Sequence, residues 1–83
     1  MRVTVRLFAR LREIAGAGEL VLDVEAPATI RTVWVELARR HPGLAPYASS
    51  ISAARNMDYA RMDTAVAEAD EIAFLPPVSG GVN

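Results

Sequence analysis

Cysteine and lysine are both missing from this 83-residue chain, and histidine occurs once. A chain without cysteine has no disulfide, no thiol nucleophile and no thiolate metal ligand, and a chain without lysine cannot form a Schiff base. The single histidine, His41, precedes Pro42 at a predicted helix end, where interaction with the helix dipole is its common role. The side chains therefore offer almost no catalytic equipment, and we expect neither a bound metal nor a bound cofactor.

Long hydrophobic runs are missing as well. No stretch approaches the roughly 20 apolar residues needed to cross a bilayer, and the start, Met-Arg-Val-Thr-Val-Arg, lacks the apolar segment of a signal peptide. A net charge of −1 disfavours general binding to nucleic acid. The length, with 52% apolar residues, predicts one small cytoplasmic domain with one core, bound to neither membrane nor nucleic acid.

Alternation of apolar and polar residues predicts two strands in the first part of the chain. Residues 2–8 form the first strand, with Phe8 as an apolar residue on the otherwise polar face. Residues 20–24 form the second strand, which Pro27 ends, and residues 9–18 predict only a turn because they finish in Gly-Ala-Gly. The two strands are close enough in sequence to pair as a hairpin. Their predicted inward residues are Val3, Val5, Leu7, Leu20, Leu22 and Val24.

Spacing of apolar residues by three and four predicts a helix over residues 30–41. Thr29 is a candidate N-cap, Pro42-Gly43 ends the helix, and residues 44–50 are predicted to be irregular. Trp34 belongs to the apolar stripe and is therefore expected in the core rather than in a ligand site. The stripe consists of Ile30, Val33, Trp34, Leu37 and Ala38.

The second half of the chain predicts shorter elements. They are a weak strand at 51–55, a turn at 56–58, a short strand at 59–61, a helical turn or loop at 65–69, and a strong strand at 71–75 with Ile72 and Phe74 inward. The order strand-strand-helix-strand-strand-strand predicts the α+β class, with one main helix packed on a mixed sheet. We expect a domain over residues 1–77, followed by a flexible tail over residues 78–83.

The chain ends in Pro76-Pro77-Val78-Ser79-Gly80-Gly81-Val82-Asn83. The prolines stiffen the chain where the last strand ends, and the glycines beyond them remove side-chain bulk. A rigid spacer with a thin end suits a terminus that enters another protein's active site, although an ordinary frayed end is the simpler explanation of the composition alone.

Two segments carry a family resemblance. Residues 7–13 have the sequence Leu-Phe-Ala-Arg-Leu-Arg-Glu, and residues 70–81 have the sequence Asp-Glu-Ile-Ala-Phe-Leu-Pro-Pro-Val-Ser-Gly-Gly. Together with Asn56 and Tyr59, which match an Asn-x-x-Tyr-like turn, they resemble the molybdopterin synthase small subunit (MoaD family) over nearly the whole chain. The resemblance implies a ubiquitin-like β-grasp fold, which agrees with the predicted order of elements.

The resemblance also implies how such a protein works. An ATP-dependent adenylyltransferase, related to the enzymes that activate ubiquitin, adenylates the carboxylate of the terminal glycine, here Gly81, and a sulfur donor converts it to a thiocarboxylate. The tail residues Val78, Ser79 and Gly80 carry this group into the large subunit of a heterotetramer, where sulfur passes to cyclic pyranopterin monophosphate. The residues expected to contact the large subunit are Phe8, Leu75, Pro76 and Pro77.

Val82-Asn83 depart from the family pattern, which ordinarily ends at the second glycine. Gly81 in an internal peptide bond has no carboxylate to adenylate. Trimming by a peptidase, or a cloning remnant, best explains an intact Gly-Gly pair, and the other accounts are a junction within a longer chain and an inactive relative. Milder departures are Arg55, where the family usually has an apolar residue, and Ala69, where it usually has glycine.

Other functions compete with this one. A sulfur carrier for thiamine, cysteine or tRNA thiolation would share the fold, but the Phe-Leu-Pro-Pro-Val-Ser-Gly-Gly ending favours molybdopterin synthesis. A β-grasp binding module that Val82-Asn83 block from activation is an alternative from another class. The missing catalytic side chains disfavour a free-standing enzyme, so we expect the chain to act only as the small subunit of a sulfurtransferase.

Overall fold

A computed structural model describes residues 1–77, which form an α+β fold with five strands in one sheet. The elements are β1 (Arg2–Leu7), α1 (Ala9–Ala15), β2 (Glu19–Asp23), α2 (Ile30–Arg40), a 3-10 helix (Pro42–Tyr47), β3 (Ser52–Arg55), β4 (Asp58–Ala60) and β5 (Glu71–Leu75). The strands and α2 confirm the predicted elements, with bounds that differ by at most one residue.

The sheet has the strand order β2-β1-β5-β3-β4. β1 pairs in parallel with β5, and the remaining neighbours pair antiparallel, including the predicted pair β1 and β2. The sheet is therefore mixed, as predicted. Its buried face packs against α2, where the rings of Trp34 and Phe74 meet edge to face with centroids 5.0 Å apart.

The helix α2 begins and ends where its sequence predicts. The Thr29 hydroxyl accepts a hydrogen bond from the Thr32 backbone N–H, and the Thr32 hydroxyl accepts one from the Thr29 N–H, so two free amides of the first turn are satisfied. His41 is the C-cap, and its N–H donates to the Leu37 carbonyl at 2.9 Å. The predicted stripe faces the core. Its fully or nearly buried members are Ile30, Val33, Trp34 and Leu37, and Ala38 is half-buried.

Two elements differ from the prediction. Residues 9–15 form α1 rather than part of a turn, and residues 42–47 form a 3-10 helix rather than an irregular segment. Each buries one leucine completely, Leu11 and Leu44 respectively. In α1, Leu11 and the half-buried Ile14 and Ala15 have helical spacing, but over little more than one turn, which is too short to distinguish a helix from a turn. Pro42 is compatible with the first turn of a helix although it signals the end of the preceding one.

Candidate functional site

The edge of the sheet at which β5 ends brings together two of the predicted interface residues. Because β1 and β5 are parallel, their carboxyl ends meet at the same edge, with Leu7 beside Phe74. The next residues along these strands, Phe8 and Leu75, therefore lie next to each other. Pro76 and Pro77 follow directly after the strand, half-buried and exposed respectively.

The Phe8 side chain is exposed although its backbone is fixed. Phe8 is the N-cap of α1, in an extended conformation, and its carbonyl accepts a hydrogen bond from the Leu11 N–H at 3.1 Å. Its side chain makes no capping hydrogen bond and is 40% exposed. Phe8 therefore lies on the face of the sheet opposite α2, which we call the open face, and this agrees with its predicted place on the polar face of the first strand. Its contact with a partner stays a prediction.

The open face of the sheet contains a shallow depression of about 430 Å³. Its floor is low because Ala54 and Ala73, paired across β3 and β5, have only methyl side chains. The remaining lining residues are Arg6, Phe8, Met57, Tyr59, Glu71 and Leu75. A protruding apolar group on another protein could therefore pack against the two alanines.

The charges at the rim of this depression offset each other. The Arg6 guanidinium lies 3.6 Å from the Glu71 carboxylate, and both side chains are partly exposed. Such a pair contributes little to stability in water. It nevertheless leaves no unbalanced charge at the depression, which favours an apolar partner surface.

Met57 and Tyr59 also line the depression, although neither was among the residues predicted for the interface. Their side chains are 89% and 81% exposed. Tyr59 pairs with Ala54, which in turn pairs with Ala73, so strand register places all three in one row across the open face. The predicted strands at 51–55 and 59–61 could have indicated this row if their register had been known. No pattern indicated Met57, because turn residues have no periodicity.

A buried carboxylate organises the other end of β5, beside the turn that contains Met57. The Asp70 side chain is 9% exposed and accepts hydrogen bonds from Arg55 Nε at 2.7 Å, Asn56 Nδ2 at 3.0 Å and the Ala67 N–H at 2.7 Å. We call Arg55, Asn56 and Asp70 the Asp70 clamp. The Arg55 hydrogen bond is the main cause that lowers the pKa of Asp70 to about 2, against desolvation, which acts to raise it. Arg55 thus supplies the countercharge for the buried Asp70 carboxylate.

We expect the Asp70 clamp to make the free energy of unfolding depend on pH in the acidic range. The folded-state pKa lies below the ordinary value of 3.8, so the stabilisation is complete above about pH 4 and is lost as pH falls through 2. Asp70→Asn should therefore lower the free energy of unfolding by roughly 2 kcal/mol at pH 7 and by little at pH 2. Urea unfolding followed by circular dichroism across this range measures the difference.

Glu36→Gln is the matched control. Hydrogen bonds from Arg39 and Arg40 also lower the pKa of Glu36 to about 2, but this group lies on the outer surface of α2, where solvent weakens the effect. Glu36→Gln should therefore lower the free energy of unfolding at pH 7 by less than Asp70→Asn does. If the free energy of unfolding changes with pH in the same way in the wild type and in Asp70→Asn, the Asp70 carboxylate is not the source of the pH dependence.

Within residues 1–77, no group of three His, Cys, Asp or Glu side chains could hold a metal ion. Neither α1 nor α2, the α-helices of these residues, has the length and hydrophobicity of a membrane span. The predicted reacting residue Gly81 and the tail residues Val78, Ser79 and Gly80 lie outside the described residues, so their roles stay predictions.

Known proteins with similar sequences and a similar fold indicate the family of this chain. A family model described as the ThiS family matches residues 5–81. The chain is 35% identical over 81 residues to the molybdopterin synthase sulfur carrier subunit of Arabidopsis thaliana, covering 98% of this chain and 84% of that protein. It is 36% identical over 84 residues to small archaeal modifier protein 1 of Haloferax volcanii, covering 92% and 97% respectively. The crystal structure of SAMP1 from Haloferax volcanii superposes with a TM-score of 0.87 at 34% identity, covering 98% of this chain and 100% of the other. The chain therefore belongs to the ThiS family and has the β-grasp fold of ubiquitin-like sulfur carriers.

Proposed function

We propose that this protein is the sulfur carrier subunit of molybdopterin synthase and that the carboxylate of Gly81 carries the sulfur. The observation that carries the proposal is its identity of about a third, over nearly the whole chain, to plant and human proteins of that name. The motif that the function requires, Pro-Pro-Val-Ser-Gly-Gly, is intact in this sequence.

The chemistry needs a free carboxylate rather than a catalytic side chain. A Gly81 carboxylate oxygen attacks the α-phosphorus of ATP, releasing pyrophosphate and forming an acyl-adenylate. A persulfide of the donor then attacks the carbonyl carbon, and AMP leaves to give an acyl disulfide. A second thiol attacks the donor sulfur of that disulfide, so the donor is oxidised to a disulfide and the thiocarboxylate leaves. The adenylyltransferase and the sulfur donor supply the other reactants. The carrier thus supplies only the carboxylate, which is consistent with a chain that has no cysteine or lysine.

The sheet edge beside the tail suits docking to the large subunit. Phe8 and Leu75 lie at the point where the tail leaves, and Pro76-Pro77 stiffen the chain beyond it. The large subunit covers this edge, takes the loaded tail into its active site and supplies the acid-base groups for sulfur transfer to cyclic pyranopterin monophosphate. Two copies of each subunit form the heterotetramer in the cytoplasm.

The intact mass of the protein isolated from its native host tests this proposal. We expect Val82 and Asn83 to have been removed and one oxygen of the new terminus to be replaced by sulfur in part of the population. A population that retains both residues and contains no sulfur would instead support a β-grasp binding module that cannot be activated. A loaded terminus whose sulfur reaches thiamine, cysteine or tRNA, but not the pyranopterin, would support a carrier for one of those pathways.

A second function is favoured by the similarity to small archaeal modifier protein 1. The activated Gly81 carbonyl could also be attacked by an amine of another protein, which would form an amide as AMP leaves. Purification under denaturing conditions distinguishes the two functions. Amide-linked conjugates of higher mass indicate a modifier, whereas a thiocarboxylate without conjugates indicates a sulfur carrier alone.

A further inference from the structure

The turn between β3 and β4 has a backbone conformation that its sequence does not favour. Arg55 pairs with Asp58, so the turn has two central residues, Asn56 and Met57, whose φ angles are 50° and 75°. Positive φ suits glycine and asparagine, but in other residues it brings Cβ close to the backbone and destabilises the folded state. Asn-Gly is the usual sequence for such a turn, so methionine here lowers stability relative to glycine.

Contacts within residues 1–77 do not explain the choice of methionine. Met57 is 89% exposed, the highest value among the exposed large hydrophobic side chains of this part. A lone exposed apolar residue is ordinary, but Met57 lines the depression together with Phe8 and Tyr59. A strained backbone that presents an apolar side chain at a candidate interface points to a role in binding.

The Asp70 clamp holds this turn in place. The Asn56 side chain donates to Asp70 Oδ1 at 3.0 Å and accepts from the Glu71 N–H at 2.9 Å, while the Asn56 N–H donates to the Glu71 carbonyl at 2.7 Å. Met57 is therefore presented from a fixed backbone, which reduces the ordering cost of binding. Its unbranched, polarisable side chain can adapt to an apolar partner surface.

We propose that Met57 is a docking residue that packs against an apolar surface of the molybdopterin synthase large subunit. The inference rests on the proposed function and extends the interface beyond the residues next to the tail. Methionine is retained in a conformation that favours glycine because its side chain contributes to the affinity of the complex.

The position of Met57 favours this partner. A protein that takes the tail into its active site must lie against the edge with Phe8 and Leu75. From there the depression follows β5 back to Met57, over about 13 Å for four residues of a strand. The Arg6–Glu71 ion pair leaves the depression without net charge, so the complementary surface is apolar.

The test is a set of variants at position 57 in the full chain, assayed for melting temperature and for affinity to the purified large subunit of the same organism. Met57→Gly should raise Tm by roughly 2–6 °C, because it relieves the backbone, and should raise Kd at least about fivefold. Met57→Ala should weaken binding similarly without the gain in Tm. Met57→Leu should keep the affinity within about twofold of wild type.

Ala69→Gly is the matched control. Ala69 also has a positive φ, 72°, but it is not a lining residue of the depression. Its substitution should raise Tm as Met57→Gly does and leave Kd unchanged. An equal loss of affinity in Ala69→Gly would attribute the effect to altered rigidity and would overturn the proposal.

Phe8→Ala separates failure of this inference from failure of the proposed docking face. If Phe8→Ala weakens binding and Met57→Gly does not, Met57 is not a docking residue, and the proposed function stands. If neither variant changes Kd, the open face of the sheet is not the docking surface, and both the role of Met57 and the proposed mode of docking are wrong. Sulfur loading, measured by mass, remains an independent test of the carrier function.

Discussion

A chain that ends at Gly81 is expected to accept AMP from the activating enzyme and then sulfur, whereas the full 83-residue chain is expected to accept neither. Adenylation requires a carboxylate oxygen as nucleophile, and an internal amide has none. Val82 and Asn83 also add two side chains at the end of a tail whose glycines otherwise keep it narrow. The difference should be all or none, because the reacting group is either present or absent.

Mass spectrometry after incubation with the activating enzyme, ATP and the sulfur donor measures both steps. Gly81→Ala in the shortened chain should slow sulfur loading by up to roughly 100-fold, because an added methyl group displaces the reacting carbon and restricts the backbone. Arg31→Ala, on the exposed surface of α2, is the control and should have little effect. If the full chain acquires a thiocarboxylate while its mass shows that Asn83 is retained, the terminal-carboxylate mechanism is wrong for this protein.

Trp34→Ala is expected to lower the free energy of unfolding by about 3–5 kcal/mol. The Trp34 side chain is 3% exposed and packs edge to face on Phe74, so the substitution opens a cavity between α2 and the sheet. A domain of this length has a total stability of roughly 4–12 kcal/mol. Much of the variant population should therefore be unfolded under mild denaturing conditions.

Urea unfolding followed by far-ultraviolet circular dichroism measures this loss, since the substitution removes the tryptophan that fluorescence would use. Trp34→Phe keeps an aromatic ring and should recover part of the stability. Val35→Ala is the matched control on the same helix, because Val35 is 59% exposed, and it should change the free energy of unfolding by less than about 0.5 kcal/mol. Equal midpoints for Trp34→Ala and Val35→Ala would contradict the core placement of Trp34.

The strands and the long helix α2 could be predicted from the sequence, whereas the two short helices could not. The helix α2 presents four buried residues at helical spacing, and β1 and β5 alternate strictly. In contrast, α1 and the 3-10 helix each bury one leucine, Leu11 or Leu44, within a few residues. Their helical conformation depends on contacts with the rest of the core, because short helices are unstable alone.

The sequence by itself determined the fold class, the core face of α2 and the family, because each depends on local periodicity or on a contiguous motif such as residues 70–81. Only the tertiary structure decided which residues share the open face. Strand register places Tyr59, Ala54 and Ala73 in one row and brings Arg55 to Asp70 across 15 positions of sequence. Register depends on the packing of the whole sheet, since a shift by one residue would turn every side chain to the opposite face. The Asp70 clamp and the depression lined by Met57 therefore have no local sequence signature.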